Sequence, residues 1–186
     1  HVDGVGRLAW RLQRGTLTAW LVAAAAMGYV LGSVAHNVSG FFGSADMQKY
    51  LVLLGGEQGL TDAFLAAEVA ILGAITAGYA ISATLRMRSE ESAGHTELLL
   101  STATTRLRWA ASHLAIALLG SAAILVVAGL SVGLAHGVAV GAPADQAMRM
   151  AGAALAQVPA VWVMAALAFA LFGWAPLAAP AVWALY

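Results

Sequence analysis

Residues 109–135 read WAASHLAIALLGSAAILVVAGLSVGLA, and no Asp, Glu, Lys or Arg follows until Asp145. A helix needs about 20 mostly apolar residues to cross the hydrocarbon core of a bilayer. This run is long enough, and it lacks the apolar–polar alternation of a barrel strand. In lipid only helices or closed barrels satisfy their backbone groups, so the stretch predicts a transmembrane helix. The pattern recurs on both sides. Residues 15–45 and 150–186 carry no charge, and residues 63–85 carry one, Glu68. Four spans are expected, at about 17–33, 61–85, 109–135 and 151–172. Gly173-Trp174-Ala175-Pro176 is a turn signal, with a fifth span expected from about 176. The predicted fold class is all-α, a polytopic transmembrane helix bundle.

Composition agrees. Of 186 residues, 61% are hydrophobic and 10% charged, with a mean hydropathy of +0.82. A soluble domain is typically about 45–50% apolar and about 25% charged. A water-facing core of this length cannot hide so much apolar surface, which argues against a soluble enzyme and excludes disorder. Nine basic residues balance nine acidic ones, so nucleic acid is not an expected partner. The absence of cysteine removes disulfides, thiolate metal sites and thiol catalysis. Neither a phosphate-binding G-x-x-x-x-G-K-[ST] loop nor an H-E-x-x-H metal pair occurs, and no metal or cofactor is expected on this chain. Leu53-Leu54-Gly55-Gly56-Glu57-Gln58 is only a faint match to an ATPase signature. The chain starts at His1 and ends in an apolar run, and is expected to be a piece of a longer membrane protein.

The basic residues set the expected orientation. Arg7, Arg11, Arg14, Arg86, Arg88, Arg106 and Arg108 fall on one side of this topology, and Lys49 and Arg149 on the other. That puts the N-terminal stretch and residues 86–108 in the cytoplasm, with loops near 36–60 and 136–149 outside. In residues 1–16, Val2, Val5, Leu8, Ala9 and Leu12 recur at helical spacing. They predict a short helix on the cytoplasmic membrane surface, with Trp10 and Trp20 at headgroup level.

The segment 86–109, RMRSEESAGHTELLLSTATTRLRW, holds four arginines and three acids in a chain that otherwise avoids charge. It is too long for a minimal turn and contains its own apolar run, Leu98-Leu99-Leu100. Ser89 or Ser92 could cap a short helix there, with Glu90, Glu91 and Glu97 complementing its dipole. Such a helix would present acidic and leucine-rich surfaces to a soluble partner.

The ordered residues Arg86, Arg88, Glu90, Glu91, Gly94, Glu97, Leu99, Leu100 and Thr102, followed by Arg106, Arg108, Trp109, Ser112, His113 and Leu114, resemble the membrane subunit of a type-2 ABC exporter. They are most similar to the actinobacterial exporters of polyketide antibiotics, at the start of the second half of such a permease. Weaker matches are residues 8–15 and Pro159-Ala160-Val161-Trp162-Val163; the family's arginine after the fourth span is absent here. The resemblance implies a plasma-membrane permease that exports hydrophobic or amphipathic small molecules such as antibiotics. It implies a separate ATPase subunit that holds ATP and Mg, and a further permease half as partner. The loop between the second and third spans would carry a coupling helix, with Glu90, Glu91, Gly94, Glu97, Leu99 and Leu100 meeting the ATPase.

Three further features have competing readings. Glu68 is an intramembrane carboxylate, which is a functional-site candidate by default. It either lines a translocation path or lies near the outer mouth and reaches water. Gly129-Leu130-Ser131-Val132-Gly133 fits the G-x-S-x-G nucleophile pattern, with His136 nearby. A nucleophile elbow needs a strand–turn–helix, so an intramembrane serine hydrolase is the weaker reading. Gly28 and Gly32, and Gly129, Gly133, Gly137 and Gly141, repeat every four residues, which favours close helix packing in lipid. His113 reads as a hydrogen-bonded interfacial residue. A membrane scaffold without transport activity is the remaining alternative.

Overall fold

The computed structural model describes residues 4–35, 56–92, 106–175, 179–184 and 186. They form five α-helices and a 3-10 helix, with no strand among the described residues. The helices are α1 (Gly4–Ala35), α2 (Gly56–Ser92), α3 (Arg106–Val140), α4 (Pro143–Leu155) and α5 (Val158–Trp174). Ala179–Ala184 form the 3-10 helix. Four segments are long and apolar enough to cross a membrane: Trp10–Ala35, Thr61–Arg88, Trp109–Val140 and Pro143–Trp174. The last combines α4 and α5. Large apolar side chains stay exposed along these segments, among them Val22, Leu119 and Val138 at 69–72%. A protein immersed in water would not present them on helix after helix, whereas lipid solvates them. The chain is a multi-pass helical membrane bundle.

Helix ends follow local chemistry. Gly141 has φ +76°, a left-handed conformation that glycine adopts freely, and the Ala142 N–H donates to the Gly137 carbonyl at 2.9 Å. Pro143 then opens α4, where its missing N–H costs no helical bond. Past α5, the Ala175 N–H donates to the Leu171 carbonyl at 2.8 Å, and Pro176 follows.

Several boundaries depart from the sequence reading. The expected surface helix at 1–16 has no separate existence: α1 runs from Gly4 through Ala35 without a break. No proline interrupts it, and Leu12 of the expected apolar face is 43% exposed while Gln13 is buried. Trp20, expected at headgroup level, lies well within the first span with its ring edge-on to Tyr79 at 5.8 Å. Residues 143–149, expected in an outer loop, are helical, and the turn before them shrinks to Gly141-Ala142. Ser89 and Ser92 belong to the end of α2, and the short helix expected after them lies outside the described residues. Where a fifth span was expected, the described residues form the short 3-10 helix.

The chain divides into two compact units. The first holds residues 1–20, 74–123 and 158–186, and the second holds 21–73 and 124–157. The first includes all seven arginines assigned to the cytoplasmic side, and the second includes Arg149. Within the first unit, Ile81 of α2, Ala168 of α5 and Val182 of the 3-10 helix form a fully buried cluster, flanked by Leu85, Met164 and Leu171. The Tyr186 hydroxyl donates to the Ala74 carbonyl at 2.8 Å, and the Trp162 indole N–H to the Leu118 carbonyl at 3.2 Å.

The second unit is built on glycine. A Cβ at Gly28 would lie 2.7 Å from the Ala128 carbonyl oxygen, and one at Gly32 would collide with the Val132 backbone, so α1 lies directly on α3. On α3, Cβ atoms at Gly129, Gly133 and Gly137 would lie 2.5–2.8 Å from Cα atoms of Ala151, Ala147 and Pro143. Only hydrogen at these positions lets the backbones approach so closely. Gly141 takes no part in this contact, since nothing lies within 4 Å of its Cβ position; it serves the turn.

Candidate functional site

Of the residues assigned to ATPase contact, Gly94, Glu97, Leu99 and Leu100 lie outside the described residues. Glu90 and Glu91 belong to the last turn of α2. That helix crosses the second span and continues past Leu85, so the charged segment starts as a direct extension of a membrane helix. Arg86 and Arg88, at the end of the span, are partly buried.

Glu68 sits on α2 in the second unit, seven residues after Thr61, or about 10 Å along the axis. It is 3% exposed, and neither carboxylate oxygen has a hydrogen-bond partner among the described residues. Leu65, Val69 and Leu72 of the same helix are buried around it in sequence. It is enclosed by protein rather than open to solvent. Nearer the start of the helix, Asp62 accepts from Arg149 of α4 at 2.6 Å, with both side chains about half exposed. An exposed pair of this kind contributes roughly 0–1 kcal/mol.

Ser131 stands in the middle of α3, with its Cβ 3.1 Å from the Cβ position of Gly28. His136 is five residues further along, about 140° around the same helix. A continuous helix presents no nucleophile elbow, and Ser131 fills the α1–α3 contact.

His113 is 1% exposed in the first unit. The side-chain amide of Gln13 of α1, 3% exposed, is hydrogen-bonded to His113 Nδ1 at 2.9 Å. Trp109 stands edge-on to the imidazole at 5.2 Å. One turn of α3 directly after the charged segment is therefore tied to α1. Further along, Tyr79 fills the space beside Gly120, where a Cβ would collide with its hydroxyl. Neither the Tyr79 hydroxyl nor the Trp109 indole N–H has a hydrogen-bond partner among the described residues.

Sequence reasoning missed Gln13. Buried positions of α1 recur at Gln13, Leu17, Ala24, Gly28 and Gly32, at the steps of four and seven that define one helix face. Extending the Gly28–Gly32 stripe towards the N-terminus leads to Leu17 and then Gln13, so the signal was present in the glycine spacing.

Residues 4–186 match a family model described as "Multidrug efflux system permease Rv1217c, C-terminal domain". The chain is similar to the multidrug efflux system permease protein Rv1217c of Mycobacterium tuberculosis (strain ATCC 25618 / H37Rv). The two are 41% identical over 177 residues, which cover 95% of this chain and 32% of that protein. The chain thus spans about a third of the length of the relative it matches.

Proposed function

The chain belongs to the family of Rv1217c-type permease C-terminal domains, and we propose that it is the membrane part of an exporter driven by a separate ATPase subunit. The carrying observation is the family match over residues 4–186. The bundle supports it: a helical membrane body with one charged island at residues 86–108, on the side marked by seven of the nine basic residues. In this reading the island lies in the cytoplasm of a cell with the permease in its plasma membrane. Glu90, Glu91, Gly94, Glu97, Leu99 and Leu100 meet the ATPase, which binds ATP and Mg. Because α2 continues unbroken from Gly56 to Ser92, a push near its end moves a membrane helix as one rod. Packed helices then shift between inward-open and outward-open arrangements. The cargo is hydrophobic or amphipathic, in keeping with a bundle poor in charge, and Glu68 belongs to its path. The rest of the permease completes the bundle.

The test is reconstitution of the full-length permease with the ATPase that co-purifies with it. ATP-dependent accumulation of ethidium in inverted vesicles is expected, and Glu97→Arg should abolish ATPase stimulation while helical content is retained. If no ATPase co-purifies and ethidium moves no faster than in empty vesicles, the proposal fails.

A further inference from the structure

The fourth span is not one helix. α4 stops at Leu155 and α5 starts at Val158. Pro159 explains the interruption: it has no N–H for the Leu155 carbonyl, and its ring clashes with a regular turn there. The Gln157 N–H turns to the Ala154 carbonyl at 3.0 Å, so the Ala153 carbonyl also loses its regular donor four residues on.

The interruption is deep. Ala156 follows Pro143 by about 20 Å of helix and precedes Trp174 by about 27 Å. The break therefore falls within the candidate membrane span Pro143–Trp174 and not at either end of it. It is also uncovered: Leu155 is 45% exposed, and Ala156 and Pro159 are exposed beside it. Lipid tails offer no hydrogen-bond donors. Irregular backbone at membrane depth is found where protein buries it or where it lines a water-filled cavity. The break carries a polar side chain as well. Gln157 lies against Gly73 of α2, its Cγ 3.0 Å from that glycine's Cβ position, and no hydrogen bond holds its side-chain amide among the described residues.

We propose that the break at Ala156-Gln157 borders a water-filled cleft of the assembled permease rather than lipid. Water there serves the freed carbonyls and the Gln157 amide. This deepens the permease reading, on which it rests for the existence of a solute path.

The chain has no cysteine, so single cysteines report cleanly once those elsewhere in the full-length permease are replaced. Ala156→Cys is compared with Ile71→Cys in membrane vesicles, using a membrane-impermeant maleimide. Ile71 is 56% exposed on unbroken α2, two residues from Gly73 and so within about 3 Å of its depth, pointing about 160° away from it. Ala156→Cys should react about ten-fold faster or more. Equal shielding of both sites, or equal reaction, overturns the proposal. If Ala156→Cys does not reach the membrane, Leu155→Cys takes its place with the same two outcomes. A labelling contrast without ATP-driven transport would sink the exporter reading and leave the cleft standing. Transport without the contrast would do the reverse.

Discussion

Replacing Gly133 with alanine tests the glycine contact between α3 and α4. The added methyl would sit 2.5 Å from Ala147 Cα, 0.9 Å inside the 3.4 Å at which ordinary contact begins, and against the Gln146 carbonyl. Both obstacles are backbone, so no side chain can swing aside. Either the helices part by most of an ångström, loosening the contacts at Gly129 and Gly137, or the methyl is accommodated by strain. Overpacking of this kind costs about 1–3 kcal/mol. Alanine also recovers about 1 kcal/mol of helix propensity over glycine, which would mask part of the loss. Gly152→Ala removes that ambiguity. Gly152 lies within α4, with nothing inside 4 Å of its Cβ position, so it gains the propensity and meets no clash. The difference between the two variants isolates the steric term, about 1–3 kcal/mol, or roughly 5- to 150-fold in the folding equilibrium. Reversible unfolding of the full-length permease in mixed micelles, followed by circular dichroism, reads it. Equal stabilities for Gly133→Ala and Gly152→Ala would refute the close α3–α4 approach.

Three further outcomes follow from the same geometry. His113→Leu strands the buried Gln13 amide and should cost about 1–3 kcal/mol, whereas Gln13→Leu with His113→Leu should cost less than the two single changes summed, by about 1 kcal/mol; strict additivity in a double-mutant cycle would disprove the pairing. Tyr79→Phe should be neutral or stabilising, because it removes a buried hydroxyl with no partner among the described residues, and it should soften the damage done by Gly120→Ala; a loss above about 1 kcal/mol on unfolding would mean that the hydroxyl is bonded. Ser131→Ala should leave cellular dye efflux unchanged, since the residue fills the Gly28 contact; abolished activity would restore the hydrolase reading.

The spans were readable in the chain because charge is expensive in hydrocarbon wherever it stands. The gaps at 15–45, 63–85, 109–144 and 150–186 lead to the helices without knowledge of any contact. The helix leading into the fourth span starts earlier, at Pro143, than the chain suggested, because Asp145 and Arg149 look like loop residues. Arg149 reaches across to Asp62, so the first turns of α4 carry charge and are still helical. Pro159 was visible, but a proline can kink a helix or end it, and the Gln157–Gly73 contact belongs to the folded arrangement. The glycine repeats announced close packing without naming partners. Gly28 and Gly32 meet α3, while Gly129, Gly133 and Gly137 meet α4.

The amino-acid order alone decided which segments are apolar and long enough to enter the membrane, since transfer from water to lipid is a sum over residues in one stretch. The burial of Gln13 against His113, the edge-on contact of Trp20 with Tyr79 and the burial of Glu68 with no donor among the described residues were decided only by the assembled helices. Those outcomes depend on which faces meet across a hundred residues of chain, and no local sum of hydrophobicity contains that geometry.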